Sequence, residues 1–294
     1  MFYSELVFWA RYRPEEDHVL GWLFTWLAYS LLAFLFLSVV HRFHIASLPA
    51  LFIAGALYGW LAEGVLVQTM YDSFPLQISW TGLAWHSLIS VCFGWYLMRR
   101  GYHHSKMTQS LGIAVGLGAF WGFWAIFWQL ETPEFITKPL DFMLFTWVAS
   151  LLVTLAYWVA DRTISPEGFQ PPTWMTIPSI IVLAIYFLMI TVPINPLSLA
   201  ILPVFLIFVY IALRRNRAIE SNSSLDMTFQ GNLPIHRYLP LLAMPLTANI
   251  VYTIAISLDL IFPTNWIIYA LLTPAGFVLL ILSLIVIFRR QSAS

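Results

Sequence analysis

Two ionisable side chains, Glu63 and His86, lie inside otherwise apolar stretches of the chain. Glu63 follows Gly55 and Gly59 at spacings of eight and four, so all three share one helix face. Glycines four apart let a second helix approach closely, which would turn Glu63 into a helix seam and away from lipid. An ionised carboxylate there costs several kcal/mol unless a donor or a cation meets it. His86 is the expected partner. It lies six residues after Trp80, roughly 9 Å into its own helix at about 1.5 Å per residue. Glu63 lies at a similar depth on the other side of a short hairpin, QTMYDSFPLQIS. A carboxylate and an imidazole at matched depth can act as general acid and base, hold a transported proton, or supply two metal ligands. They can also form a purely structural hydrogen bond.

Other polar groups fall near the same level. Gly118, Gly122, Ala125 and Gln129 make a small-residue face that ends in an amide, with Glu131 and Glu134 just beyond it and Asp141 opening the next apolar run. Gln129, Glu131 and Asp141 are therefore candidates to orient a substrate or metal. Trp121, Trp124 and Trp128 recur on one side of the same helix and are expected to offer an apolar wall, suited to a lipid or isoprenoid chain or simply to packing. Asn249, Thr253 and Ser257 form a stripe at i, i+4, i+8, a pattern that more often hydrogen-bonds helices together than lines a cavity.

The elements that must position these residues are membrane helices. Of the 294 residues, 60% are hydrophobic and only 10% charged, and the mean hydropathy is +0.80. A soluble domain carries about 25% charged residues to wet its surface. A helix needs roughly 20 apolar residues to cross a bilayer. Nine stretches qualify: 19–40, 46–67, 80–98, 109–130, 140–160, 174–192, 196–213, 238–260 and 266–288. The expected fold is one all-α, polytopic bundle occupying residues 1–294. Assigning alternate loops to opposite sides leaves Arg11, Arg13 and Lys138 with the N-terminus and the other eleven of the fourteen basic residues opposite. The positive-inside rule then places the N-terminus outside and the C-terminus in the cytoplasm of a plasma or inner membrane. Ten of the fourteen acids, Glu15, Glu16 and Asp17 among them, lie at or near the outer side, as expected of a face from which basic residues are excluded. The connector 214–237 reads as a flexible cytoplasmic loop.

Several chemistries are excluded or unsupported. The basic residues form no nucleic-acid-binding face. A single cysteine, Cys92, excludes an intramolecular disulfide and a cysteine-based zinc site. No glycine-rich phosphate loop occurs, and the first residues do not read as a cleavable leader. Both lysines lie in loops, so a retinal Schiff base has no support. His41, His44, His103 and His104 lie near span ends and read as solvated, leaving His86 without a second buried histidine for a transmembrane haem. No feature specifies a cofactor. The expected partners are membrane lipids and a small hydrophobic substrate.

The Glu63 and His86 pairing invites comparison with intramembrane prenyl-protein proteases, but their Glu-Glu-x-x-x-Arg motif is not met, because Leu20 follows Glu15-Glu16 where arginine is required. Glu63, Thr69 and Tyr71 loosely resemble integral membrane enzymes of carotenoid hydration over this short stretch alone. Neither family is assigned on these residues. Three functions fit the sequence: an intramembrane enzyme acting on a lipid, isoprenoid or membrane peptide with Glu63 and His86 as acid and base; a proton-coupled permease; and an accessory subunit whose polar groups only pack helices.

Overall fold

The computed structural model describes residues 1–13, 17–104, 107–131, 136–164, 168–217, 225, 229 and 233–289. Glu15, Glu16, Lys106, Glu134 and most of the 214–237 connector lie outside the described residues. The chain is an all-α polytopic membrane protein, with no strand among the described residues.

Among the described residues eight helices are long and apolar enough to cross a membrane, against nine expected. They are α1 Val19–Arg42, α2 Leu48–Leu66, α4 Met107–Glu131, α5 Pro139–Thr163, α6 Thr173–Ile194, α7 Ser198–Arg217, α8 Ile235–Ser257 and α9 Thr264–Arg289. The remaining expected segment is also helical, as α3 Ile78–Met98. It falls outside the eight because it is more polar: Ser79, Thr81, His86, Ser87 and Ser90 all lie on it, and all five are buried. Such a helix is held by protein contacts, not by lipid.

The described chain divides into two compact units. One comprises Met1–Leu23, Phe93–Ile164 and Gly231–Leu271, and the other Phe24–Cys92, Ser165–Gln230 and Leu272–Ser294. In the first unit α4 packs against α8. Gly118 and Gly122 lie so close to the Met244 and Ala248 carbonyls that a Cβ on either would collide with backbone. The N-terminal residues Phe2–Leu6 and Val7–Trp9 are helical and pack into this unit, with Tyr3, Leu6 and Val7 buried.

In the second unit α2 is largely enclosed, with 78% of its apolar stretch buried, while α6 has only 11% buried and faces outward. A seam of small residues joins α2 to α3. A Cβ at Gly55 would lie 3.0 Å from the Ser87 Cα, and one at Gly59 would run into the Gly82 backbone. Ser87 Oγ donates to the Phe52 carbonyl at 2.6 Å and the Trp60 indole N–H donates to the Ile78 carbonyl at 3.1 Å, so the seam is hydrogen-bonded as well as close. Backbone atoms cannot yield as a flexible side chain can. We therefore expect Gly59→Val to lower stability by about 1–3 kcal/mol through overpacking, whereas Gly112→Ala, whose Cβ would meet nothing within 4 Å, should be neutral or stabilising. Thermal unfolding of the two purified variants in detergent checks the contrast.

Candidate functional site

Glu63 sits where α2 changes its winding. Over Ala62–Leu66 the helix opens into a wide turn, closed by the Val67 N–H donating to the Ala62 carbonyl at 2.9 Å. Single wide turns of this kind are frequent at functional sites, although wide winding also occurs at Phe2–Leu6, Ile78–Met98 and Phe187–Thr191 of this chain. The chain then reverses through Gln68, which holds a left-handed backbone at φ 71°. This brings the short helical turn Thr69–Tyr71 back over the helix end. The last carbonyls of a helix have no partner within it. Here Tyr71 OH donates to the Gly64 carbonyl at 2.7 Å and Thr191 Oγ1, from α6, donates to the Val65 carbonyl at 2.9 Å. Burial holds the Tyr71 phenol above its ordinary range, so it stays a donor.

The seam between α2 and α3 delivers His86 to Glu63. His86 Nε2 and Glu63 Oε1 are 2.7 Å apart, a contact that requires one proton between nitrogen and oxygen. Thr69 Oγ1 donates to the other carboxylate oxygen, Oε2. The carboxylate thus has a partner on each oxygen, which meets the requirement that an intramembrane acid be paired. The site is closed: Glu63 is 5% and His86 2% exposed. The rings of Tyr29, from α1, and Tyr58, from α2, lie 6.4 and 5.6 Å from the imidazole, centroid to centroid. They leave His86 an aromatic enclosure of low polarity, in which its interaction with Glu63 is stronger than it would be in water.

Five further candidate residues belong to the other unit. Gln129 is buried and donates through Nε2 to the Thr137 carbonyl at 3.0 Å and to Tyr252 OH, while Tyr252 OH donates to the same carbonyl at 2.8 Å. The amide pins the chain entering α5. Glu131 and Asp141 are exposed; Asp141 lies in the first turn of α5, where the helix dipole favours an acid. Trp121 is fully buried, 5.5 Å from the Phe2 ring, and the indole N–H groups of Trp124 and Trp128 both donate to the Phe8 carbonyl. The N-terminal helix therefore covers the tryptophan face. In the stripe on α8, Asn249 Nδ2 donates to Thr146 Oγ1 of α5 at 2.7 Å, while Thr253 and Ser257 are exposed.

Comparison with known proteins finds no matching family model, no matching curated protein and no matching solved structure.

One charged cluster escaped the sequence reading. Arg99, counted there among the loop cations, is 2% exposed, and its Nη2 donates to Asp161 Oδ1 at 2.7 Å. Tyr238 OH donates to Asp161 Oδ2 at 2.7 Å, and His103 Nε2 lies 3.1 Å from Oδ1. The Tyr102 ring lies tilted against those of His103 and Tyr238, 5.0 and 5.1 Å away centroid to centroid, and burial keeps its phenol well above the ordinary range. Arg99 and Asp161 are 62 residues apart in sequence, so spacing carries no signal for the pair. Thr69 stands beside Glu63 in the sequence only through the loose resemblance; its bond to the carboxylate depends on the left-handed turn at Gln68. Among the described residues no group of three or more His, Cys, Asp or Glu side chains is arranged to hold a metal ion.

Proposed function

We propose that Glu63 and His86 form the acid–base centre of an intramembrane enzyme acting on a hydrophobic, membrane-borne substrate: a lipid, an isoprenoid or a membrane peptide. The observation that carries this reading is the buried 2.7 Å contact between the two side chains, with Thr69 fixing the free carboxylate oxygen. A group that shares a proton inside an apolar enclosure is placed to deliver or accept it without competition from water, and positioned acid–base groups contribute about 10²–10⁴-fold to rates. Thr69 is a positioning residue: its hydroxyl sets the carboxylate rotation that leaves Oε1 on the imidazole. Binding is expected to open the Tyr29–Tyr58 enclosure and let the substrate reach the pair.

The closure of the site favours a second reading, a proton-coupled permease in which Glu63 carries the proton between alternating openings. Native mass spectrometry of purified wild type beside Glu63→Gln, with metal analysis on the same samples, tests the enzyme reading. The expected result is a bound hydrophobic species that differs between the two proteins, with unreacted substrate retained by the variant. Identical spectra with nothing bound would contradict it and move the reading to a permease.

A further inference from the structure

On the face of α2 opposite Glu63, the side chains of Leu57, Leu61 and Val65 point into a cavity of about 480 Å³ closed by α1, α6 and α7. The volume is in the range of pockets that hold small molecules, about 300–1,000 Å³. The cavity is elongated. Along α7 it runs from Leu202 to Leu213, eleven residues or about 16 Å of helix. Pro203 lines it, and by lacking an amide proton it leaves the Leu199 carbonyl without its helical donor, a weakening that lets α7 bow at this level.

The polarity of the lining is lopsided. The body is aliphatic and aromatic, and among the described residues the one charged residue on the wall is Arg42, at the last position of α1. Ser38 and Thr176 also reach the lining, but each hydroxyl donates to a carbonyl of its own chain segment, Phe34 at 2.7 Å and Pro172 at 3.2 Å, and so offers little to a ligand. Tyr210 stands at the Arg42 end, its ring edge-on to Phe43. Arg42 is exposed, and no acid pairs with it among the described residues. Burial and the neighbouring Arg217, His41 and Arg42 hold His44 below its ordinary range, so Arg42 lies in a cationic neighbourhood. The basic-residue distribution makes this the expected cytoplasmic end, where anionic lipid headgroups gather and basic pockets between helices bind them.

We propose that this cavity is a binding site for a membrane lipid with an anionic phosphate headgroup, its acyl chain lying along α2 and α7 and its phosphate on the Arg42 guanidinium. The apolar length and the single cationic end together match an anionic amphiphile and neither a neutral lipid nor a free anion. The site is separate from the Glu63–His86 pair and does not rest on the function proposed for it.

The test places purified protein in nanodiscs of equal parts phosphatidylglycerol and phosphatidylcholine and reads by native mass spectrometry which lipid stays bound on release. Wild type is expected to retain phosphatidylglycerol over phosphatidylcholine by roughly five- to tenfold, the preference one arginine supplies near a headgroup. Arg42→Gln should bring the ratio close to one, and Arg42→Lys should keep most of it. Leu206→Trp, which fills the cavity body, should lose the bound lipid altogether while keeping the wild-type helical content and elution volume. Equal retention of both lipids by wild type, or an unchanged preference in Arg42→Gln, would overturn the proposal. So would undiminished binding to the Leu206→Trp protein.

Discussion

Truncating Asp161 to alanine is expected to cost about 3–5 kcal/mol of stability, the loss that follows when one member of a buried ion pair is removed. Two donors lose their acceptor at once, the Arg99 guanidinium and Tyr238 OH, both at 2.7 Å, and His103 Nε2 loses a carboxylate neighbour at 3.1 Å. Arg99 cannot shed its charge to relieve the burial, because guanidinium stays protonated throughout the accessible pH range. The site also cannot relax by exposing it, since Arg99 is enclosed by Tyr102 and lies beside Trp95. Asp161→Asn should lose less, because the amide oxygen still accepts from Tyr238. The double variant Arg99→Met, Asp161→Leu should recover most of the loss, since replacing both members of a buried pair with apolar groups is often nearly neutral. Denaturant unfolding in detergent checks the series. A change in the single variant within about 0.5 kcal/mol, the range of surface substitutions, would show that the cluster is solvated and its geometry different.

Glu63→Gln should lower turnover about 10²–10⁴-fold while leaving the fold intact. Glutamine keeps the shape of the side chain, one acceptor oxygen for Thr69 and a polar group beside His86, so the α2–α3 seam closes as before. What it removes is the proton that passes between carboxylate and imidazole. His86→Gln should fall by a similar factor, and the two losses should not add, because each variant disables the same pair. Thr69→Val should cost roughly tenfold, the equivalent of one hydrogen bond to a charged group, and Thr69→Ser should restore it. Tyr58→Phe, which alters only a ring packed on His86, should change turnover little. Rates measured on membranes containing equal amounts of each folded variant check the set. Full activity of Glu63→Gln would remove the pair from the chemistry.

Much of this arrangement was legible in the sequence because membrane helices announce themselves by composition. The depth comparison across the QTMYDSFPLQIS hairpin placed Glu63 against His86, and the Gly55–Gly59 spacing anticipated the close seam with Gly82. The same reasoning found the Gly118–Gly122 face on α4 and the helix-to-helix role of Asn249. All nine expected segments are helical; eight are strongly apolar, and the ninth, α3, carries five buried polar residues satisfied by protein. The tryptophans of α4 suit either an apolar wall for a lipid chain or packing, and here they pack; their cover, Phe2–Trp9, is too short to register as a span and is held by specific contacts such as the indole bonds to Phe8. A charge count places Arg99 among the loop cations, since it assumes that every arginine near a span end is solvated. Its partner is 62 residues away, on a different helix, and only the packing brings the two together.

The central claim is that Glu63 and His86 do acid–base chemistry on a membrane-borne substrate, and it is tested most directly by mass spectrometry of lipid and peptide extracts. The extracts come from membranes of cells producing equal amounts of wild type, Glu63→Gln or His86→Gln. At least one species should accumulate with both variants and be depleted by wild type, with a matching product present only where wild type is made. Extracts that are the same for all three folded proteins would contradict the claim and leave the Glu63–His86 contact as a bond that holds α2 to α3.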